Sequence, residues 1–283
     1  MTNAIDAAFS DMDNREDVTP IESVGLAGVT VGGDPLPTRT MIYGVDGIGK
    51  STFAAESNKP IFLPTEDGAL RIPVPQFPLC ETWDALLGNL RTLYSQDHDY
   101  KTVVIDSADW AQALAVAHVT KYKFEDDIQK FDSFGRGYKV LMSEWERLLR
   151  GLDAVRKHKG MEIILIGHAA VKTIKNPGGD DWDKYQSNLV DTPSTSIWNK
   201  TKEWCDILLF ANYEVIIDKD SPKAGKGKGV LVQGDGQRVL HSGPSAAWDS
   251  KVRAGWSLPR KLKLSYTEYD KHLNERTQNA IQS

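Results

Sequence analysis

Cysteine is scarce in this chain. Cys80 and Cys205 are the two among 283 residues, far apart and in no C-x-x-C context, which excludes a disulfide scaffold and argues against a zinc site. Long apolar runs are missing as well. No stretch reaches the roughly eighteen residues that span a bilayer, and the opening "MTNAIDAAFSDMDNRED" lacks the basic start and apolar stretch of a secretory signal. The expectation is a cytoplasmic protein with no membrane contact. Positive charge is not in excess either: 34 Lys and Arg stand against 39 Asp and Glu, a net −5, which is not the footprint of a uniformly basic nucleic-acid coat. There is no internal repeat.

What is present is ordinary soluble-protein composition, 40 % hydrophobic and 26 % charged, in a chain long enough for one large α/β domain with appendages or for two small ones. The charge is unevenly spread. Residues 1–35 hold seven acids (Asp6, Asp11, Asp13, Glu16, Asp17, Glu22, Asp34) against Arg15 alone, a net −6 that leaves +1 for the remainder. This acidic lead-in lacks sustained periodicity and reads as flexible, although "VGLAGVTVGG" has the texture of a short strand. The C-terminal end is basic, with Lys251, Arg253, Arg260, Lys261, Lys263, Lys271 and Arg276 against three acids. An acidic tail near a basic region is solvated chain or a competitor for a polyanion.

From residue 36 to 217 short apolar runs alternate with helical ones. "RTMIYG", "KPIFLPT", "KTVVID", "MEIILIG" and "CDILLFANYEVII" read as five strands. Between them, Trp83, Leu86, Leu87, Leu90 and Leu93 fall on one helical face, and so do Tyr138, Leu141, Trp145, Leu148, Leu152 and Val155. Such alternation implies an α/β core, a mainly parallel sheet flanked by helices. Residues 218–283 are expected to form a mobile basic loop, "DKDSPKAGKGKG", then a hairpin in "VLVQGDGQRVLHSG" turning at Gly234 to Gly236, and a C-terminal extension.

"GVDGIGKS", residues 44–51, fits G-x-x-x-x-G-K-[ST] between a strand and a helix. In that context the backbone of Gly44, Val45, Asp46, Gly47, Ile48 and Gly49 wraps the phosphates of a nucleotide, with Thr52 following. Lys50 reaches the β- and γ-phosphates, and Ser51 binds Mg²⁺. Asp106, ending "TVVIDS" 56 residues after Lys50, is the expected second element of the metal site. ATP and Mg²⁺ are the cofactors this pair implies. Many ATPases place a water-activating Glu directly after the metal-binding Asp, but here Ser107 and Ala108 follow. The activating carboxylate must come from elsewhere: Glu66, at the end of the second strand in "FLPTEDGAL", is the first candidate. Asp109 is the weaker one, since an acid in a first helical turn is favoured by the dipole in any case.

The succession "GVDGIGKS", "FLPTEDGAL", "VVIDS", "IILIGH" resembles the ATPase core of RecA-type recombinases over residues 38–265. It is most similar to the small phage and prophage proteins that have this core, no flanking DNA-binding domains, and a grouping with phage single-strand annealing proteins. The resemblance implies a fourth strand inserted between the P-loop strand and the Asp106 strand. Its tip residue, His168, would then face the γ-phosphate as a sensor, and the alternative is a hydrogen-bonded structural histidine. Glu66 would sit on the same edge, orienting water.

The long segment after His168 would be a flexible loop meeting DNA through Lys172, Lys175, Trp182, Lys184 and Tyr185, or an ordinary lid, since Asp180, Asp181 and Asp183 dilute its charge. "KFDSFGRGYK" is a second DNA-contact candidate, with Arg136, Tyr138 and Lys139 lining the same channel, or a turn before a helix that starts near Gly137. Lys251 and Arg253 resemble a segment that completes the site of a neighbouring subunit, or they form a solvated basic face.

The implied function is Mg²⁺-dependent ATP hydrolysis controlling assembly on single-stranded DNA, with annealing or strand pairing in phage recombination. The implied partners are a single-strand-binding protein and further copies of the chain in a filament or ring. A nucleotide-gated binding module and a motor for helicase loading or packaging are the alternatives.

Overall fold

The computed structural model describes residues 36–218 and 230–281. The acidic lead-in with its "VGLAGVTVGG" strand and nearly all of the basic loop lie outside these residues. The expected five strands are present in a sheet of nine among the described residues. Its spine runs β2 (Pro60–Pro64), β3 (Thr102–Asp106), β4 (Glu162–Ile174), β1 (Arg39–Gly44), β6 (Ile207–Asp218), β7 (Val230–His241), β9 (Lys261–Lys263). The first five are mutually parallel. β7 and β9 continue antiparallel, β5 (Trp182–Ser187) pairs the far half of β4, and the short β8 (Lys251–Val252) pairs the start of β6.

The near-continuous apolar runs follow from burial on both faces. Met41, Tyr43, Val103, Ile105, Ile163 and Leu165 point into one core, beneath α2 (Trp83–Ser95), α3 (Ala108–Lys123) and α5 (Arg136–Lys159). Ile42, Val104, Ile164 and Ile166 point into the other, beneath α1 (Lys50–Ala55) and α7 (Tyr266–Ile281). The predicted face of α2 is buried, and Trp83 stacks on Trp145 of α5 at 6.4 Å between ring centroids. Thr82 caps α2, its hydroxyl accepting from the Ala85 N–H at 3.1 Å. Two short elements complete the chain, α4 (Ile128–Asp132) and α6 (Ile197–Trp204).

Two expectations are corrected. First, Gly234 to Gly236 do not turn a hairpin. β7 is one strand, and these residues bulge out of its ladder where the register with β6 shifts between Tyr213 and Val215. Gly236, at φ 73°, takes the left-handed conformation that such a bulge needs. Second, the segment after His168 is a braced β-hairpin. β4 runs on through the β-branched Val171, Thr173 and Ile174 and pairs with β5. "NPGG" closes the turn, with the Asn176 side chain accepting from the Gly178 N–H at 3.1 Å. The outer edge of β5 is tied to the 246–249 segment, where the Tyr185 N–H donates to the Ala247 carbonyl at 2.8 Å.

Lys251 and Arg253, the candidates for completing a neighbouring subunit's site, lie at the amino edge of the parallel strands. They donate to the terminal carbonyls of α6: Lys251 to Lys202 and Glu203, and Arg253 to Glu203 at 2.8 Å. A helix C-terminus with unpaired carbonyls attracts such cations. Their neighbour Asp206, 3 % exposed, anchors this edge. Arg39 grips both its oxygens at 2.8 and 3.1 Å, while Arg156 and Arg253 each approach at 3.3 Å.

Replacing Asp206 by Asn leaves three arginines without their shared anion and should cost about 3–5 kcal/mol of stability in urea unfolding. Burial pushes the Asp206 carboxyl up, but Arg39 and then Arg156 outweigh it and hold it below the ordinary range. Its contribution is therefore present above the unfolded carboxylate value and lost as pH falls through the lower, folded one. The Asn variant should show a flatter acid limb in stability measured against pH.

Candidate nucleotide site

β1 ends at Gly44 and the chain turns through residues 45–49 into α1. Gly49 precedes the helix at φ 106°, ψ 25°, a conformation open to glycine, and a Cβ there would stand 2.8 Å from Arg238 Nη1. The loop's amides and the α1 N-terminus form the anion cradle expected of the motif. Lys50 is 5 % exposed, and its ammonium donates to the Gly44 and Val45 carbonyls, both at 3.0 Å. Burial lowers its pKa, against the pull of Asp46, Asp109, Asp106 and Glu66.

The strand order puts the other predicted residues on the same edge. β4 lies between β3 and β1, and His168 stands in register with Gly44. Asp106 ends β3, 1 % exposed, and neither of its carboxylate oxygens has a hydrogen-bond partner in the protein; the Ser107 hydroxyl has none either. Burial raises the Asp106 carboxyl above its ordinary range, with Ser51 and His168 opposing. The buried Asp106 carboxylate and the Ser51 hydroxyl that approaches it are a hard oxygen pair, and they fit Mg²⁺ held by one or two protein ligands plus phosphate.

Glu66 tops β2, where the Thr65 N–H donates to the Asp106 carbonyl at 2.8 Å and locks the tip against β3. Burial raises the Glu66 carboxyl, and His168 opposes it. Asp67 opens the 3₁₀ turn Asp67–Arg71. The His168 ring directs Nε2 toward Glu66 Oε1 at 4.0 Å and Asp46 Oδ1 at 3.9 Å, and Nδ1 toward Asp109 Oδ2 at 3.1 Å. Gly47, Lys50, Ser51, Glu66, Asp106 and His168 thus share one cleft of ≈ 340 Å³. A second opening beyond Glu66 and His168 is lined by Asp109, Trp110 and Asn188.

The expected DNA contacts do not converge. Lys184 is committed to Asp249 at 2.7 Å, Lys175 to Asp181 at 2.5 Å and Lys172 to the Leu189 carbonyl at 3.3 Å. The Tyr185 ring packs on Phe210, and the Trp182 indole donates to the Ala246 carbonyl at 3.0 Å. Arg136 instead stands exposed at the start of α5. Two residues before it, Phe134 is 97 % exposed at φ 53°, ψ 23°. Periodicity could not have flagged Phe134, because it sits in a turn. Arg238 carries no sequence signal either: it reaches from β7 to the Ile48 carbonyl at 3.4 Å, a contact that spans 190 residues.

A P-loop between strand and helix, with an acid at the tip of a strand two places away in a mainly parallel sheet, defines a P-loop NTPase fold. The family model described as "AAA domain" matches residues 36–254, and the chain belongs to that family. Among solved structures, one titled "Crystal structure of the RadB recombinase" aligns at 18 % identity and a TM-score of 0.39, covering 74 % of this chain and 82 % of that one. No curated protein matches the sequence. Among the described residues no helix is long and apolar enough to cross a membrane.

Asp106→Asn removes a buried charge whose desolvation outweighs the help of Ser51, His168 and Lys50, and should stabilise the nucleotide-free protein by ~1 kcal/mol or more while abolishing the Mg²⁺-dependent part of ATP affinity. The native penalty is present at neutral pH and relieved as pH falls through the raised Asp106 value. The variant's advantage in urea unfolding should therefore shrink toward acid pH.

Proposed function

We propose that the chain is a Mg²⁺-dependent ATPase that acts on single-stranded DNA, annealing or pairing strands in phage recombination, and that it assembles as a homo-oligomer. The observation that carries the hydrolytic part is the placement of Glu66 and His168 in one cleft with Lys50, Ser51 and Asp106. Ser51 and Asp106 would hold Mg²⁺, which supplies charge neutralisation on the phosphates when bound. Lys50 would leave the Gly44 and Val45 carbonyls to meet the β- and γ-phosphates. Glu66, its carboxyl raised by burial, would accept a hydrogen bond from the attacking water and orient it in line with the scissile bond. His168 Nε2 faces the space where the terminal phosphate would end.

For DNA, the support shifts from the β4–β5 hairpin to the Phe134–Arg136 turn. There an aromatic face and a guanidinium are both presented to solvent, the combination that stacks bases and tracks phosphates. The cations of the hairpin are largely matched by its own acids. Recruitment by a single-strand-binding protein is a further reading of the same function.

The test is ATP turnover with and without single-stranded DNA for wild type, Lys50→Ala and Glu66→Gln. DNA-stimulated turnover in wild type and its loss in both variants are expected, with Glu66→Gln down by ~10² or more. Normal turnover in Glu66→Gln would remove that residue from the mechanism. ATP-dependent DNA binding without turnover in any protein would identify a nucleotide-gated binding module instead. In fluorescence anisotropy with an oligonucleotide, Phe134→Ala should cost ~1–3 kcal/mol of affinity, and Arg136→Ala should reduce the salt dependence by about one phosphate contact.

A further inference from the structure

Asp109 is more than an acid placed at a helix start. Its side chain is 10 % exposed, and one carboxylate oxygen, Oδ2, accepts twice from His168: from the backbone N–H at 2.8 Å and facing ring Nδ1 at 3.1 Å. The other oxygen, Oδ1, is buried without a partner. An ionised carboxylate accepts and never donates, so the Nδ1 that faces it carries the proton. The backbone bond fixes the root of the side chain and the Nδ1 bond fixes the ring's rotation. Nε2 is then the one ring nitrogen left to meet a ligand, and it opens into the cleft between Asp46 and Glu66.

We propose that Asp109 is a positioning residue, holding the His168 imidazole with Nδ1 protonated so that Nε2 presents its lone pair to the cleft and accepts from a water beside the terminal phosphate of the bound nucleotide. This rests on the ATPase reading above. A neutral amide at the same tip would need no such support, because it carries its donor and its acceptor whatever its neighbours. An imidazole has two interchangeable tautomers and a free ring rotation, and at this tip Asp109 selects one of each. The carboxylate also raises the His168 pKa, with burial and Lys50 opposing and Glu66 adding to it. The groups facing the ring are thus Asp109 from α3, Asp46 and Lys50 from the P-loop and α1, Glu66 from the tip of β2, and Asp106 from the end of β3.

The test is a double-mutant cycle on ATP turnover together with a spectroscopic reading that needs no nucleotide. Asp109→Asn in the wild-type background should lower kcat about tenfold with KM for ATP within about twofold, whereas in a His168→Gln background the same change should alter kcat by less than about twofold. Equal losses in the two backgrounds would overturn the proposal and leave Asp109 as an ordinary helix-start acid. In ¹⁵N-detected NMR of the nucleotide-free protein, wild-type His168 should show a protonated Nδ1, and Asp109→Asn should show averaging between tautomers. A wild-type ring with unprotonated Nδ1 would overturn the proposal without any variant. A wild type that binds ATP but does not turn it over would instead sink the ATPase reading, and the NMR result then decides the positioning role alone.

Discussion

Everything at the candidate site depends on one pairing: β4 is hydrogen-bonded between β1 and β3. Because the strands are parallel and in register, the ends of β1, β3 and β2 and the point where β4 runs past them make a single edge. Gly44, His168, Asp106 and Glu66 come from four segments separated by up to about 120 residues, yet lie on neighbouring strands in the order β1, β4, β3, β2. Ligands in open α/β sheets bind at such an edge, where the backbone leaves room between successive loops. The hydrogen bond from the Thr65 N–H to the Asp106 carbonyl extends this order beyond the ladder itself and keeps Glu66 at the edge.

The opposite edge carries the complementary task. Asp206 gathers Arg39, Arg156 and Arg253, so the starts of β1 and β6, the end of α5 and the segment after β8 are clamped by one buried anion. Here charges are matched and hydrogen-bonded. At the nucleotide edge they are not: burial holds Asp106 and Glu66 above their usual range, and Lys50 turns back onto carbonyls of its own loop. Clustering such groups unsatisfied disfavours the empty protein, and it creates the electrostatic conditions in which a charged ligand gains most by entering. Stability and binding are thus concentrated at opposite ends of the same strands.

Residues that carry their chemistry in a local pattern are legible in the sequence. Gly49, Lys50 and Ser51 sit in a motif whose spacing is itself the physical requirement. Asp106 ends a strand that buries on both faces, and the missing acid after it directs attention to Glu66. The helical faces of α2 and α5 are equally plain, because burial on one side imposes a 3.6-residue period. Misreadings arise where local chemistry permits two outcomes. Gly-Asp-Gly makes a tight turn or a bulge, and the partner strand β6 decides between them. "NPGG" within a polar stretch reads as a loose loop, yet the 246–249 segment supplies the second edge that holds β5 in a hairpin.

By itself, then, the sequence determined the α/β class, the phosphate loop and the acids available to a metal and a water, since each of these is encoded within a few consecutive residues. Tertiary structure alone decided which cations remain free. Lys184, Lys251 and Arg253 look like ligand contacts in one dimension, but each finds an anion or a helix carbonyl contributed by a distant segment. Phe134 and Arg136 are left facing solvent because the turn between α4 and α5 gives them no such partner among the described residues. Asp109 acquires its role in the same way. Its place in a first helical turn is local, but the imidazole it holds arrives 59 residues later, on a strand that only the sheet order sets beside it.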